Sequence, residues 1–517
     1  LIKIILFLLL NLCLYAKTFN ISTYNVENLF DLKNNRSDYK EYIPNDYSKW
    51  DKKKFTLKLA NLIKVLKDLD SDIIALQEVE NRELMQLLLK KLPKYKYYSF
   101  SKYENASVGI GFLSKIKIIK NQDLNIKFPN KIYRPILETT FKIDNYKFKI
   151  FNNHWPSKRV AESYRIKYAK KLFDRVNELP KDYDYILLGD FNSNYNEFET
   201  IYYEKRLNNT QGVTGINQVL NTTVDKKYIT VDDILRRDKR VHYNLWLQVD
   251  YPKRFSTIFR GNKYTPDNII LSPALFDNKK LSYKLNSFKV FAPQYLYKNG
   301  KINRWQIKDG IHTGKGFSDH LPLTATFSSK KEDKNPLKKI PEKTFNKISD
   351  FYNTNKLLKD ADLKNVVVIY KDSKSAVIKQ KNDRAIYLYN NVAKLKEGYS
   401  YDLRVSQIKE FFGLKEIKKF KILEKNKKIP DYKKLYLEGK DIDILDLKYQ
   451  NEIVTNIQGV YKNKKLLFNN KEIKLYFRKK SINPKEGSFI KIKRAQIGFF
   501  KNSAQLVIHK KSDIDVN

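Results

Sequence analysis

Between Phe19 and about Phe327 the chain alternates short runs of β-branched and aromatic residues with stretches whose apolar positions recur at helical spacing. The segments FNISTYNV, DIIALQEV, VGIGFLS, ILETTFKI, YKFKIFNNHW, YILLGDFN, DNIILS and LPLTATF read as strands. From Asp51 to Asp70, Phe55, Leu59, Leu62, Ile63, Leu66 and Leu69 predict an amphipathic helix with Asp51 as its cap. Residues 160–179 repeat that pattern less cleanly through Val160, Ile166, Ala169, Leu172, Phe173 and Val176. Strands and helices mixed in this way predict an α/β domain whose helices cover a sheet core.

The pattern stops at SSKKEDKNPLKKIPEKTFNK, residues 328–347, which is charged, contains proline and lacks periodicity. It reads as a linker. The expected division is a domain over 17–328, a linker over 329–358 and a further region over 359–517. In that last region NVVVIYKD, SAVIKQKN, RAIYLYNN and KFKILEK, then NEIVTNIQGVYKNKKLLFNN, EIKLYFRK and SFIKIKRAQIGFFKN, are short strands interleaving lysine with aromatic residues. They predict one or two small β-barrels of oligonucleotide-binding type.

Composition sharpens this picture in two ways. Of 517 residues 42% are hydrophobic, enough for real cores, and the length calls for more than one domain. The 101 Lys and Arg against 57 Asp and Glu give a formal charge of +44, which favours polyanionic partners: nucleic acid, or an anionic membrane surface. The opening LIKIILFLLLNLCLYAKT has a lysine, a short apolar core and a small residue at Ala16. It reads as a secretory signal over 1–16 and predicts export, to the periplasm or out of the cell. The single cysteine, Cys13, lies inside that leader, so the mature chain is expected to use neither disulfides nor thiolate–metal sites.

The candidate chemistry lies where strands end. In YILLGDFNSN, Asp190 and Asn192 are two apart, so an unbroken strand aims both into one space. A local Asx turn would also favour these residue types. Asn25 and Glu27 close ISTYN, Glu78 ends DIIALQE, His154 ends FKIFNNH, Asp267 precedes NIIL, and Asp319 and His320 stand in GFSDHLPL. Several strands each delivering one polar group to a terminus is how a sheet scaffold assembles a site from distant segments. No G-x-S-x-G elbow or cysteine nucleophile is present, which argues against an acyl-enzyme route.

YNVENLFD, LQEVEN, NNHWPS, LLGDFN, TPDNIIL and FSDHLPL occur in the order found in the endonuclease/exonuclease/phosphatase superfamily, which residues 19–328 resemble. The resemblance implies a four-layer αββα sandwich, deoxyribonuclease-like, followed here by all-β barrels. It implies that Glu78 and Asn25 bind a divalent ion, Mg²⁺ with Mn²⁺ or Ca²⁺ as substitutes, with Glu27 and Asp319 as further ligand candidates. His320 would be the base that activates water, oriented by Asp267. Asp190 would align the water or assist the leaving oxygen, Asn192 would donate to a phosphoryl oxygen, and His154 would help the leaving group or bind phosphate. Arg134, Lys158, Arg159 and Arg165 are candidate phosphate clamps. His242, His312 and His509 match no motif and receive no role.

The tail also resembles modules appended to secreted bacterial nucleases. The expected activity is therefore metal-dependent hydrolysis of DNA, with RNA as a further substrate. The alternative is a phosphodiesterase or phosphatase of lipid head groups at a membrane. Nothing in the sequence signals a protein partner or an oligomer.

Overall fold

Strand β1 (Thr18–Leu29) pairs in parallel with β2 (Ile73–Val79), and the chain between them is carried by helix α1 (Lys52–Leu69). Asp51 caps α1 by accepting from the Lys54 amide, and Asp70 ends it in a left-handed conformation. Helix α2 (Arg82–Lys91), capped by Asn81, leads to β3 (Tyr97–Ser101) and β4 (Gly109–Ser114). This is a computed structural model, describing residues 18–45, 47–235, 240–329, 345–354, 357, 360–469, 471–500 and 503–516. The expected leader over 1–16, and residues 330–344 of the expected linker, lie outside the described residues.

A second sheet follows: β5 (Lys117–Leu124), β6 (Ile136–Ile143), β7 (Tyr146–His154), helix α3 (Glu162–Asn177), β8 (Tyr185–Asp190) and β9 (Asp267–Leu271). Strand β10 (Leu323–Ser328) returns to the first sheet and pairs antiparallel with β1. The long strands of the first sheet run in the order β10-β1-β2-β4-β3, and those of the second in the order β9-β8-β7-β6-β5.

Alternation along the strands decides the packing. Ile21, Ile73, Ala75, Ile110 and Phe112 of the first sheet meet Leu137, Phe141, Ile150, Ile186, Leu188 and Ile269 of the second in one buried cluster. The opposite face of the second sheet, through Phe151, Tyr185, Leu187 and Ile270, is covered by Tyr168, Ala169, Leu172 and Val176 of α3. Leu59, Leu62, Val65 and Leu66 form the buried stripe of α1. The result is a sheet-rich α/β sandwich with helices outside its sheets.

Two compact units divide the described chain: residues 18–249, 255–257 and 264–329 form one, and residues 250–254, 258–263 and those from 345 onward form the other. The second unit's C-terminal region is all-β. Strands β11 (Ala361–Lys371), β12 (Ser375–Lys379), β13 (Ala385–Tyr389), β14 (Tyr399–Phe411) and β15 (Leu414–Lys428) close into a barrel in the order β11-β12-β13-β15-β14. Only β13 and β15 pair in parallel.

The same order recurs in β16 (Ile457–Lys462), β17 (Lys465–Phe468), β18 (Lys471–Phe477), β19 (Phe489–Ile492), β20 (Ala495–Phe500) and β21 (Ser503–Ile508). There the fourth strand is broken at Lys493–Arg494, and β18 pairs with β21 in parallel.

The two strand sets are locked together. Val367, Ile369, Val377 and Tyr387, on the outside of the first barrel, share a buried cluster with Ile453. Arg494 donates to Glu397 and Asp513, each at 2.7 Å, and His509 lies 3.0 Å from Asp372.

Candidate active site

Parallel and antiparallel pairing together bring the ends of β7, β8 and β9 into line. His154 lies opposite Asp190, and Asp190 lies opposite Asp267. On the other sheet, Asn25 lies opposite Gln77, one residue before Glu78. Asn25 bridges the sheets: its Nδ2 donates to Glu78 Oε1 at 3.0 Å and to Asp190 Oδ2 at 3.1 Å.

His320 enters from the loop before β10. Its Nδ1 donates to Asp267 Oδ2 at 2.7 Å, leaving Nε2 as the free nitrogen, with Asp319 Oδ1 at 3.8 Å. That loop is held by Ser318, whose hydroxyl donates to the Asn25 carbonyl at 2.7 Å and accepts from the His320 amide at 3.1 Å. Ser256 donates to the same Asp267 oxygen as His320 does. One ligand atom from each of Asp190, Asp267 and His320 lies within 4.8 Å of the others.

Backbone geometry is unusual at these positions. Glu27, Glu78 and Asn192 all have positive φ, at 52°, 66° and 48°. Glu27 and Glu78 sit at register breaks in β1 and β2, where a bulge re-aims side chains. Non-glycine residues in this region cost of order 1–3 kcal/mol each and cluster at functional sites.

The electrostatics follow from burial and crowding. Burial, then repulsion from Asp267, lifts Asp190 to about 7. Burial, then Asp319, raises Glu78. Burial alone would hold His320 neutral, but Asp267, Asp319 and Asp190 overturn this and lift it well above the ordinary imidazole value. His154 is pushed the other way by burial, Arg134 and His320 and is neutral. Its Nε2 lies 3.6 Å from Glu78 and 3.7 Å from Asp190, and its Nδ1 is buried without a hydrogen bond.

Carboxylates thus outnumber nearby cations, and Asp267 Oδ1 is buried with no partner. An oxygen-rich pocket with an uncompensated negative field fits a hard divalent ion. Glu78 and Asp319, whose charges act on each other, are the carboxylates that would hold it. Asn25 serves differently from the expected direct ligand: its Oδ1 accepts from the Glu27 amide at 3.0 Å, so it orients carboxylates through Nδ2.

A family model described as the endonuclease/exonuclease/phosphatase family matches residues 20–329. The chain belongs to the endonuclease/exonuclease/phosphatase family. It is a metal-dependent phosphoester hydrolase of that family. No curated protein matches the chain.

Similar solved structures include Danio rerio TDP2 humanized by 14 mutations, at 16% identity and TM-score 0.38, covering 60% of this chain and 98% of that one. TDP2 from Caenorhabditis elegans, at 17% and 0.37, covers 60% and 75%. The Bacteroides thetaiotaomicron mannosyl-6-phosphatase Bt3783, at 15% and 0.38, covers 60% and 99%.

Within this family fold several expected residues take other places. Glu27, expected as a metal ligand, is turned away by its bulge; its Oε1 accepts from Arg304 Nε at 3.1 Å and from Nη2, and its Oε2 from the Trp305 amide at 3.0 Å. Asn192 is part of an Asx turn, its amide donating to Asp190 Oδ1 at 2.8 Å, and its side chain donates to the Trp155 carbonyl at 3.0 Å. Its amide is therefore tied to backbone where a phosphoryl donor was expected.

Lys158 is paired with both oxygens of Glu197 at 2.7 Å. Arg165 is fully buried and donates to Glu162 and to the carbonyls of Pro156, Ser157 and Val160. Arg165 thus holds the HWPS turn and Lys158 is tied to Glu197, so both expected phosphate clamps are engaged with protein groups. Arg134 donates to the His154 and Trp155 carbonyls at 3.0 and 3.3 Å, which places its charge beside His154 and Glu78. Arg159 is exposed, and its charge bears on Tyr39.

The sequence reading missed Arg304, Ser256, Ser318 and Lys58. Lys58 is a buried lysine of α1 that donates to the Val26 and Phe317 carbonyls at 2.9 and 2.8 Å. A lysine on the apolar stripe of α1 was the one available signal. The three histidines without a role are buried and hydrogen-bonded, and His312 accepts from the Trp305 indole at 2.9 Å.

Proposed function

We propose that this hydrolase is an exported, Mg²⁺-dependent nuclease that cleaves DNA, and RNA as a further substrate, with little sequence preference. The observation that carries the choice of substrate is the C-terminal barrel, closed in the order β11-β12-β13-β15-β14. We read it and its repeat as oligonucleotide-binding barrels. On the second set, Val460 stands between Leu467 and Phe489 on neighbouring strands, and all three are exposed. Lys462, Lys465 and Lys491 lie on the same strands, and Lys474 on the adjoining β18. An exposed apolar row with lysines suits bases stacking while phosphates run along cations. The formal charge of +44 acts in the same direction. Export rests on the leader, residues 1–16.

In the mechanism, His320 Nε2 takes a proton from water while Asp267 holds Nδ1–H and stabilises the imidazolium. The neighbouring carboxylates make proton uptake favourable, and the charge of a divalent ion held by those carboxylates would lower the ring's pKa so that it starts neutral. Asp190 would align the attacking water, and neutral His154 offers an N–H beside Glu78 and Asp190. Arg134 supplies positive charge at the pocket wall. Glu78 and Asp319 would hold a divalent ion such as Mg²⁺, which when bound would polarise a phosphoryl oxygen and offset the carboxylate field.

The deciding experiment incubates the full chain with plasmid DNA in Mg²⁺ or EDTA, and in parallel with labelled sphingomyelin. Nicking and degradation that EDTA abolishes, without lipid hydrolysis, is the expected result. Lipid hydrolysis with intact plasmid would replace this reading with the head-group one. Changing Lys462, Lys465, Lys474 and Lys491 together to Glu should weaken DNA binding and leave hydrolysis of a small phosphodiester unchanged.

A further inference from the structure

The bulge at the end of β1 puts Glu27 and Asn28 in left-handed conformations, with φ of 52° and 65°. Asn25 therefore stays with Glu78 and Asp190, while Glu27 swings toward the loop carrying Arg304. There a guanidinium fork and a backbone amide occupy both carboxylate oxygens. The same guanidinium reaches Asp319, with Nη2 at 3.8 Å from Oδ2. One fixed cation thus touches two acids that border the metal pocket.

The seat is built. The Asn303 carbonyl accepts from the Phe317 amide at 2.8 Å, tying the Arg304 loop to the loop that leads into His320. Gly316, at φ 89°, lies so close that a Cβ there would come within 1.7 Å of the Arg304 carbonyl oxygen. The Trp305 indole is fixed by His312 and packs in a buried cluster with Phe30, Tyr42 and Trp50. Lys58 lies 5.2 Å from the Trp305 ring and brings a second cation to this side. An arginine keeps its charge at every working pH and does not exchange with solvent, unlike a metal ion.

We propose that Arg304 is the resident cation of the Glu27–Asp319 side of the site, so that the enzyme takes one divalent ion, bound from the Glu78 side. This rests on the assignment of the chain as a metal-dependent hydrolase. The guanidinium does at Glu27 what a second ion does in a two-metal site: it neutralises a carboxylate and fixes its direction. It also holds Asp319 between itself and the ion, which sets how that carboxylate meets His320.

The test titrates Mn²⁺ alone into metal-free full-length protein and counts free ion by its aqueous spin-resonance signal. One Mn²⁺ per chain is expected. Glu27→Gln, which still accepts from the Trp305 amide, should keep one ion with a Kd changed less than about threefold. Arg304→Met should admit a second ion, and Glu27→Gln in the same chain should remove it again.

Two ions in the unaltered protein, with Glu27→Gln reducing them to one, would overturn the proposal. So would an Arg304→Met protein, folded by near-ultraviolet circular dichroism, that still takes a single ion. Should that variant fail to fold, the counts for the unaltered chain and Glu27→Gln decide. No Mn²⁺ at all would instead refute metal dependence itself, a separate failure.

Discussion

Gln77 and Asn152 hydrogen-bond across the gap between the two sheets, Nε2 to Oδ1, at 2.7 Å. Asn152 also donates to the Leu76 and Gly111 carbonyls, and Gln77 exchanges hydrogen bonds with Thr23, so the buried network is satisfied. Gln77 precedes Glu78, and Asn152 stands two residues before His154. The pair therefore sets the offset between sheets that puts Glu78 3.6 Å from His154.

Replacing Asn152 by Leu should leave Gln77 with Thr23 as its remaining partner and take a donor away from two buried backbone carbonyls. The expected cost is about 3 kcal/mol in urea unfolding. Loss of activity beyond the unfolded fraction should accompany it, because the two halves of the site lose their register.

With His320 as the proposed proton acceptor, activity should fall as pH drops through its pKa. His320→Asn should lower kcat about 10²–10⁴-fold while DNA binding, read by fluorescence anisotropy in EDTA, persists. Asp267→Asn removes the largest charge raising that pKa, so the acid limb of the pH–rate profile should move to lower pH. An unmoved limb would assign the titration to another group.

Metal affinity should track Glu78. Its replacement by Gln keeps the contact with Asn25 in shape but removes a charge, and Mn²⁺ binding by calorimetry should weaken at least about tenfold.

His242 supplies a stability test away from the site. Its Nδ1 donates to the Leu220 carbonyl and its Nε2 accepts from Tyr185, so the neutral ring is satisfied and burial lowers its pKa to about 4. The unfolded chain binds this proton near pH 6.5, so stability is full above that pH and is lost as pH falls toward 4. The loss should total about 3 kcal/mol, and His242→Gln should flatten it.

Gly189 pairs with Asn153 between β8 and β7, at φ 120°, and a Cβ there would lie 2.1 Å from the Asn153 carbonyl oxygen. Gly189→Ala should destabilise the fold by about 3 kcal/mol, read as a lowered Tm. It should also displace Asp190, the next residue.

Much of the architecture was legible because it is local. The Asp51 cap, the stripe of α1 and the strands from FNISTYNV to LPLTATF stand where the pattern put them. Helix α2 and strand β3 escaped, since ten and five residues offer too few periods to read. The candidate site was legible as a set of strand termini, yet the directions of Glu27 and Asn192 were not. Simple alternation assumes extended backbone, and both residues have positive φ.

By itself, then, the sequence determined which segments are strands and helices and which of them end in acids, amides and histidines. Those choices follow from steric preferences within a few residues. Only the tertiary structure decided that Glu27 belongs to Arg304, 277 residues away, that Lys158 pairs with Glu197, and that Arg165 braces a turn. A buried carboxylate takes whichever donor the fold brings within reach, and that is fixed by loop closure and packing across the whole domain.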